Sequence, residues 1–449
     1  MRIGELSANQ DIKSLGGELH RLVEDWFPIC RSITGEGLRE QLRRIGAAIP
    51  VTMHEVPSGT QLFDWTTPKE WNIRDAYVMD EAGNRVVDFQ AHNLHVLGYS
   101  VPIKRAMSLE ELKQHCFTLP DHADWIPYRT SYYKEQWGFC LTQRQLDTLP
   151  DGTYEVCIDS RLADGALTYG ECVIPGAEEA EFLISAHACH PSLANDNLSA
   201  LAVATRIASA LQRVARRYTY RFLFAPGAIG AIAWLARNED VARRIRHGLI
   251  LACLGDSGPS SYKRSRRGNS AIDACATYVL EQSGHPHEIM DFTPYGYDER
   301  QYCSPGFNLP VGCFMRTPPG RYAEYHSSAD NLEFVKPAAL ADSFVKLARI
   351  IEVIENDGVY RNLNPKCEPQ LGKRGLYTAI GGRTDTKALE MAMLWVLNFS
   401  DGDHSLLDIA RRSRLDFGNL RAAADALLDA RLLEPAPAPD STGSQERRN

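Results

Sequence analysis

The densest run of chemistry-bearing residues in this 449-residue chain is Ser185-Ala-His-Ala-Cys-His-Pro-Ser-Leu-Ala-Asn-Asp-Asn-Leu-Ser199. It places His187 and His190 shortly before Asp196, and imidazole with carboxylate suits Zn²⁺ or a similar divalent ion. Two later stretches offer further donors. Asp256 closes the apolar run Leu249-Ile-Leu-Ala-Cys-Leu-Gly, and His326 lies in Glu324-Tyr-His-Ser. Zinc with three or four protein ligands and one open position turns water into a nucleophile at neutral pH, and a shared Asp can hold two ions about 3.5–4 Å apart. Each residue alone has a plainer reading. A strand-end His is usually a hydrogen-bonded loop residue, while Asn-Asp-Asn and Asp256-Ser-Gly are ordinary turns. Their order along the chain is what points to metal.

That chemistry needs a scaffold that gathers distant loops. From about Leu167 to Val359 strand and helix patterns alternate. Strands are expected at Glu181–Ser185, Tyr220–Phe224, Gly248–Leu254 and Val311–Met315. Helices are expected at Ser199–Arg216, Gly230–Asn238, Ser270–Gly284 and Pro337–Asn356. The rhythm predicts an α/β domain with a largely parallel sheet, helices on both faces, and ligands at strand carboxyl ends. Residues 15–48 read as helices broken at Pro28 and Gly35, and Val51–Val56 as a first strand.

Between 57 and 165 the texture changes to short, aromatic-rich strands. Asp75–Met79, Arg85–Phe89, Asn93–Tyr99 and Tyr154–Ile158 read as strands, with a hairpin turn at Asp80–Asn84, so this region is a β-rich insert. Its aromatics (Trp125, Tyr128, Tyr132, Tyr133, Trp137) form a small core or wall a cleft. Residues 1–56 and 166–365 then make the α/β domain. Residues 380–435, with helices at 388–397, 405–410 and 420–428, read as a winged helix, and 436–449 as a disordered tail.

Net charge is −8 at pI about 5.9, which argues against coating nucleic acid or an anionic membrane. From Asp385 to Glu434 six basic residues face nine acidic ones (6 − 9 = −3), so the winged helix reads as a protein-docking module rather than a duplex binder. Self-association stays open. The run lengths exclude a membrane-spanning helix, and the polar start lacks a signal-peptide core. Eleven scattered cysteines without a C-x-x-C pair fit reduced thiols and a cytoplasmic location.

The order His187, Asp196, Asp256, His326 resembles the co-catalytic zinc exopeptidases, the superfamily of bacterial aminopeptidases and glutaminyl cyclases. The resemblance implies that these four hold one or two Zn²⁺ ions, with Asp196 bridging and His187 and Asp256 completing one shell. Nearly the whole chain is similar to a bacterial aminopeptidase-like family with a β-rich insert and a C-terminal winged helix, found in polysaccharide and natural-product gene neighbourhoods. Trp65-Thr-Thr-Pro-Lys-Glu-Trp-Asn-Ile, Ile126-Pro-Tyr-Arg-Thr-Ser-Tyr-Tyr and Asp298-Glu-Arg-Gln-Tyr-Cys-Ser-Pro-Gly carry that likeness.

One departure matters. The superfamily's Glu-Glu pair, a general base and a metal ligand, falls here on Pro226-Gly-Ala-Ile-Gly230, so Gly227-Ala228 stand in its place. Base assistance is commonly worth about 10²–10⁴ in rate. The site is then mononuclear, or Glu324, Glu299 or His190 fills in, or hydrolysis is lost and binding kept. Cys189 and His190 stand where the superfamily has a carboxylate that orients its ligand His. Asp298, Arg300 and Tyr325 are candidates to line the substrate pocket, Arg300 by clamping a carboxylate. The basic run Lys263-Arg-Ser-Arg-Arg267 is solvated surface or an anion collector. The expectation is a metal-dependent hydrolase cleaving an amide bond in a small peptide or amino-acid conjugate. A non-catalytic scaffold of a biosynthetic pathway is the alternative, and a ligand-sensing regulator the third.

Overall fold

The structure is a computed structural model, and it describes residue 6, residues 11–376 and residues 385–436. An eight-stranded sheet organises the first compact unit, which runs to Ala348. Its strands are β1 (Thr52–Pro57), β2 (Ala166–Ile174), β3 (Glu181–His187), β4 (Thr219–Ala225), β5 (Ile245–Leu251), β6 (Ser260–Lys263), β7 (His287–Met290) and β8 (Val311–Met315). They lie in the order β1-β2-β4-β3-β5-β8-β6-β7. The central four, β4-β3-β5-β8, run parallel, while β1, β2 and the β6/β8 contact are antiparallel. Every residue of β3 and β8 is buried, as expected for strands covered on both faces.

The expected elements are present with shifted ends. The first helical region is two helices, Ile12–Trp26 and Glu36–Gly46. Asp11 caps the first by accepting the N–H groups of Lys13 and Ser14, and its apolar face (Leu15, Leu19, Val23, Trp26) is buried. Gly35 takes φ 91°, where a Cβ would strike the Trp71 carbonyl, so glycine is required before the second helix. Three differences correct the sequence reading. The β5 strand lies earlier, ending at Leu251. Lys263 belongs to a strand rather than a loop. Asn93–His95 is a 3₁₀ turn, not a strand, because the His92 ring accepts the Leu94 N–H and closes it locally.

Strands within 57–165 form their own sheet, in the order Arg85–Asp88, Glu70–Met79, Thr153–Ala163, Ile103–Ser108. Trp71, Val78, Tyr154, Val156 and Ile158 are buried on it. Arg39 ties this sheet to the α/β core through a bidentate pair with Glu70, at 2.9 and 2.6 Å. The Arg39 guanidinium holds the Glu70 carboxyl at about 2. Insert and α/β core thus share one compact unit.

The second unit begins at Arg349. Its three-stranded sheet is ordered Asp401–Ser405, Val359–Asn362, Leu433–Ala436, with helices at Asp385–Phe399, Leu406–Ser413 and Phe417–Asp429. Val359–Asn362 is its central strand, so the winged-helix unit starts well before residue 380 and takes residues that the sequence reading gave to the α/β domain. Of the expected tail 436–449, Ala436 closes the strand Leu433–Ala436, and the rest lies outside the described residues.

Candidate metal centre

The parallel register decides what meets at the sheet's carboxyl end. His187 ends β3 directly opposite Ala225, the last residue of β4. Asp196 follows on a wholly buried turn, 194–199. Asp330, from the loop after His326, holds that turn: Oδ1 accepts the Asn195 N–H at 2.5 Å and Oδ2 the Asp196 N–H at 2.9 Å. The Asp330 carbonyl also accepts the Ala194 N–H at 3.0 Å. Burial pushes the Asp330 carboxyl up to about 8, against the pull of those N–H groups.

Asp196 is the hub. Oδ1 lies 2.8 Å from His187 Nε2, and Oδ2 lies 3.1 Å from His326 Nε2 and 4.0 Å from His190 Nε2. His187, His190 and Asp196 offer donor atoms all within 4.8 Å of one another. Asp196 and His187 are fully buried, His190 nearly so, and His326 is the most open at 34% side-chain exposure. Burial alone would raise Asp196, but the imidazoles of His190, His187 and His326 hold it well below the carboxylate range. Burial drives His190 well below its ordinary value despite the Asp196 charge, so its ring is neutral, the form that ligates a metal. His326 reaches Asp196 from a left-handed backbone, φ 57°, uncommon for a residue with a Cβ.

Other sequence candidates lie elsewhere. Asp256 is fully engaged: Oδ1 accepts from Gly258 N–H (2.7 Å) and Thr317 Oγ1 (2.6 Å), and Oδ2 from Asn195 Nδ2 and Thr317 N–H, both at 3.2 Å. A Cβ on Gly258 would collide with this knot, at 2.0 Å from Thr317 Oγ1. Asp256 therefore grips the turn beside Asp196 and is not part of the histidine group. Glu299 is buried in an ion pair with Lys263 and is not a free base. Glu324 lines an adjoining groove with Asp256, Trp125 and Tyr322. Arg300 is exposed. The basic run is spent internally: Lys263 on Glu299, Arg264 on Asp291, Arg266 and Arg267 on Asn308.

Asp298 does reach the site's edge. It is buried, and its Oδ1 has no hydrogen-bond partner among the described residues. A Cβ built on Gly227 would lie 3.5 Å from that oxygen and 3.3 Å from His187 Cβ. Gly227 thus leaves room beside a carboxyl from another loop.

Aromatic rings enclose the histidines. Tyr325 stacks on His326 (3.9 Å between centroids, 16°) and Tyr297 on His187 (4.2 Å, 19°). Tyr128, from the insert, meets both His326 and His190 at 5.1 Å. Its segment is pinned by the Tyr128 N–H to the His326 carbonyl (2.8 Å) and the Ser328 N–H to the Ile126 carbonyl (2.8 Å). Of the insert's aromatics, Tyr128 walls the site and Trp125 lines the groove, whereas Trp137 stacks on His115 and Tyr133 is exposed. Asp330, Asn197 and Tyr297 were missed. Asp330 sits in the string Glu324-Tyr-His-Ser-Ser-Ala-Asp, and an Asp four residues after a candidate ligand was the available signal.

Residues 20–357 match the model of a family described as a domain of unknown function, DUF4910, and residues 358–435 match a winged helix-turn-helix. A Clostridium acetobutylicum protein named "Putative polysaccharide biosynthesis protein with aminopeptidase-like domain" is 53% identical over 425 residues, covering 95% of this chain and 98% of that one. The chain belongs to this aminopeptidase-like family. Within it, the fold is close to a crystal structure from the same species, described as a "putative peptidase": TM-score 0.92 at 50% identity, over 97% of this chain and all of that one. The aminopeptidase-like fold extends to the zinc aminopeptidase of Bacillus subtilis, with TM-score 0.55 at 11% identity over 76% of this chain and 94% of that one. It extends also to a peptidase M28 precursor of Shewanella amazonensis, with TM-score 0.56 at 12% identity over 79% and 96%. At such identities these last two speak for fold alone.

Proposed function

We propose that this aminopeptidase-like protein is a metal-dependent hydrolase that cleaves an amide bond in a small peptide or amino-acid conjugate. The observation that carries the reading is Asp196: a buried carboxylate with a histidine nitrogen near each oxygen, and a third histidine at 4.0 Å. The donor set suits zinc, which would polarise the scissile carbonyl and supply a nucleophilic water. Asp330 fixes the Asp196 turn. Tyr128, Tyr297 and Tyr325 exclude water and give the substrate apolar walls. With Glu299 paired to Lys263 and Glu324 in the next groove, Asp298 is the carboxyl beside His187 left to accept a proton. The cysteines, which form no disulfide among the described residues, support a cytoplasmic setting.

A specific observation favours a second reading, a binding protein without turnover: position 227 carries no carboxylate and the other glutamates are engaged or displaced. Incubation with aminoacyl-p-nitroanilides and dipeptides separates the two. The hydrolase reading expects turnover that is lost with a chelator, restored by zinc, and absent in Asp196→Asn. No turnover with metal-loaded protein across those substrates favours the binding reading, and chelator-insensitive turnover contradicts the metal dependence.

A further inference from the structure

The buried amide of Asn197 decides which nitrogen of His187 is free. Its Oδ1 accepts the Cys253 N–H at 3.1 Å. Its Nδ2 faces the carbonyl oxygens of Leu251 at 3.1 Å and of His187 at 3.3 Å. Turning the amide by half a rotation would aim Oδ1 at two carbonyls and Nδ2 at an N–H, and would lose these bonds. The backbone therefore sets its orientation, independently of the imidazole. In that orientation Nδ2, a donor only, also stands 3.2 Å from His187 Nδ1. A proton on Nδ1 would point at a donor, with no acceptor for it among the described residues. Nδ1 thus keeps its lone pair, and the proton of the neutral ring sits on Nε2. That nitrogen lies 2.8 Å from Asp196 Oδ1, an ordinary length for an N–H donated to a carboxylate.

A ring with its proton on Nε2 has no lone pair there for a cation. Ligating histidines normally donate their second N–H to a carboxylate or carbonyl, and His187 meets an amide donor instead. Its place within 4.8 Å of His190 and Asp196 is proximity without a free electron pair. Nearby Asp256, the other candidate at this end of the turn, is saturated by Thr317, Gly258 and Asn195. The opposite edge of Asp196 is different. Oδ2 faces His326 Nε2 at 3.1 Å and His190 Nε2 at 4.0 Å, and the second nitrogen of His190 borders the Cys189 sulfur at 3.5 Å rather than an amide donor.

We propose that a divalent ion binds on the Oδ2 side of Asp196, with His190 and His326, and that His187 is a positioning residue that donates through Nε2 to Oδ1. The proposal rests on the reading that Asp196 holds an ion, and it makes the site mononuclear.

Titration of the full chain with Co²⁺, followed by visible absorption and calorimetry, tests it. Wild type is expected to bind one equivalent. His190→Gln and His326→Gln should abolish binding or change the cobalt spectrum. His187→Gln should keep the wild-type spectrum while weakening affinity by about 10–100-fold, the usual cost of losing an outer partner. Loss of binding or a changed spectrum in His187→Gln, with His190→Gln unchanged, overturns this assignment alone. No cobalt uptake by wild type overturns it together with the hydrolase reading. Long-range ¹H–¹⁵N NMR on metal-free wild type reads the His187 tautomer without any variant: a proton on Nε2 is expected, and one on Nδ1 refutes the proposal.

Discussion

Burial pushes the Asp298 carboxyl up to about 7, with Glu299 adding to the rise and His187 and Arg300 opposing it. In the unfolded chain the same group titrates near its ordinary 3.8. Between about pH 4 and 7 the folded state therefore holds a proton that the unfolded state has lost, and the stability this group contributes falls as pH rises through that window. Asp298→Asn keeps the shape and removes the ionisation. Metal-free Asp298→Asn is expected to lose less Tm than wild type between pH 5 and pH 8. A steeper loss in the variant would contradict the assignment of Asp298 as a buried carboxyl that keeps its proton. At this scale the sequence was half legible. His187, His190, Asp196 and His326, which the structure brings together, were legible as imidazole and carboxylate donors recurring in order along the chain. Asp256 and Glu299 lie apart from the histidines, and a sequence shows a carboxylate but not the Thr317 hydroxyl or Lys263 ammonium that engages it. Asn197 looked like a turn residue, and its control of a ring tautomer depends on carbonyls from two separate strand ends.

The loop after His326 and the turn after β3 are one device, and Asp330 joins them. Removing its side chain leaves the N–H groups of Asn195 and Asp196 buried without acceptors, each costing about 1–3 kcal/mol. Asp330→Ala is accordingly expected to lose about 2 kcal/mol or more in urea unfolding and to bind metal more weakly. Unchanged stability with unchanged affinity would show that the turn holds itself. Strand and helix identities were readable from periodicity, and β8 and the helix at 337–356 fell where expected. The exceptions have local causes. A His92 ring closes a 3₁₀ turn over an apolar run that reads as a strand. The pairing of 126–128 with 326–328 joins segments about two hundred residues apart, beyond any local pattern.

At the scale of the whole chain, the alternating strands and helices carried the α/β class, and the motif order carried the family. The winged-helix boundary was misplaced because Val359–Asn362 is a short strand completed by residues 401–405 and 433–436. Its helix Phe417–Asp429 holds one arginine, Arg421, paired with Asp425, and no surplus of positive charge. The central claim is that Asp196, with His190 and His326 on one side and His187 positioning it from the other, holds a cation at one end of the sheet. Elemental analysis of the purified chain, before and after dialysis against zinc and then metal-free buffer, tests that most directly. The account predicts close to one equivalent of divalent metal in wild type and essentially none in Asp196→Asn. Wild type that retains no metal, or a variant that retains as much, would contradict it.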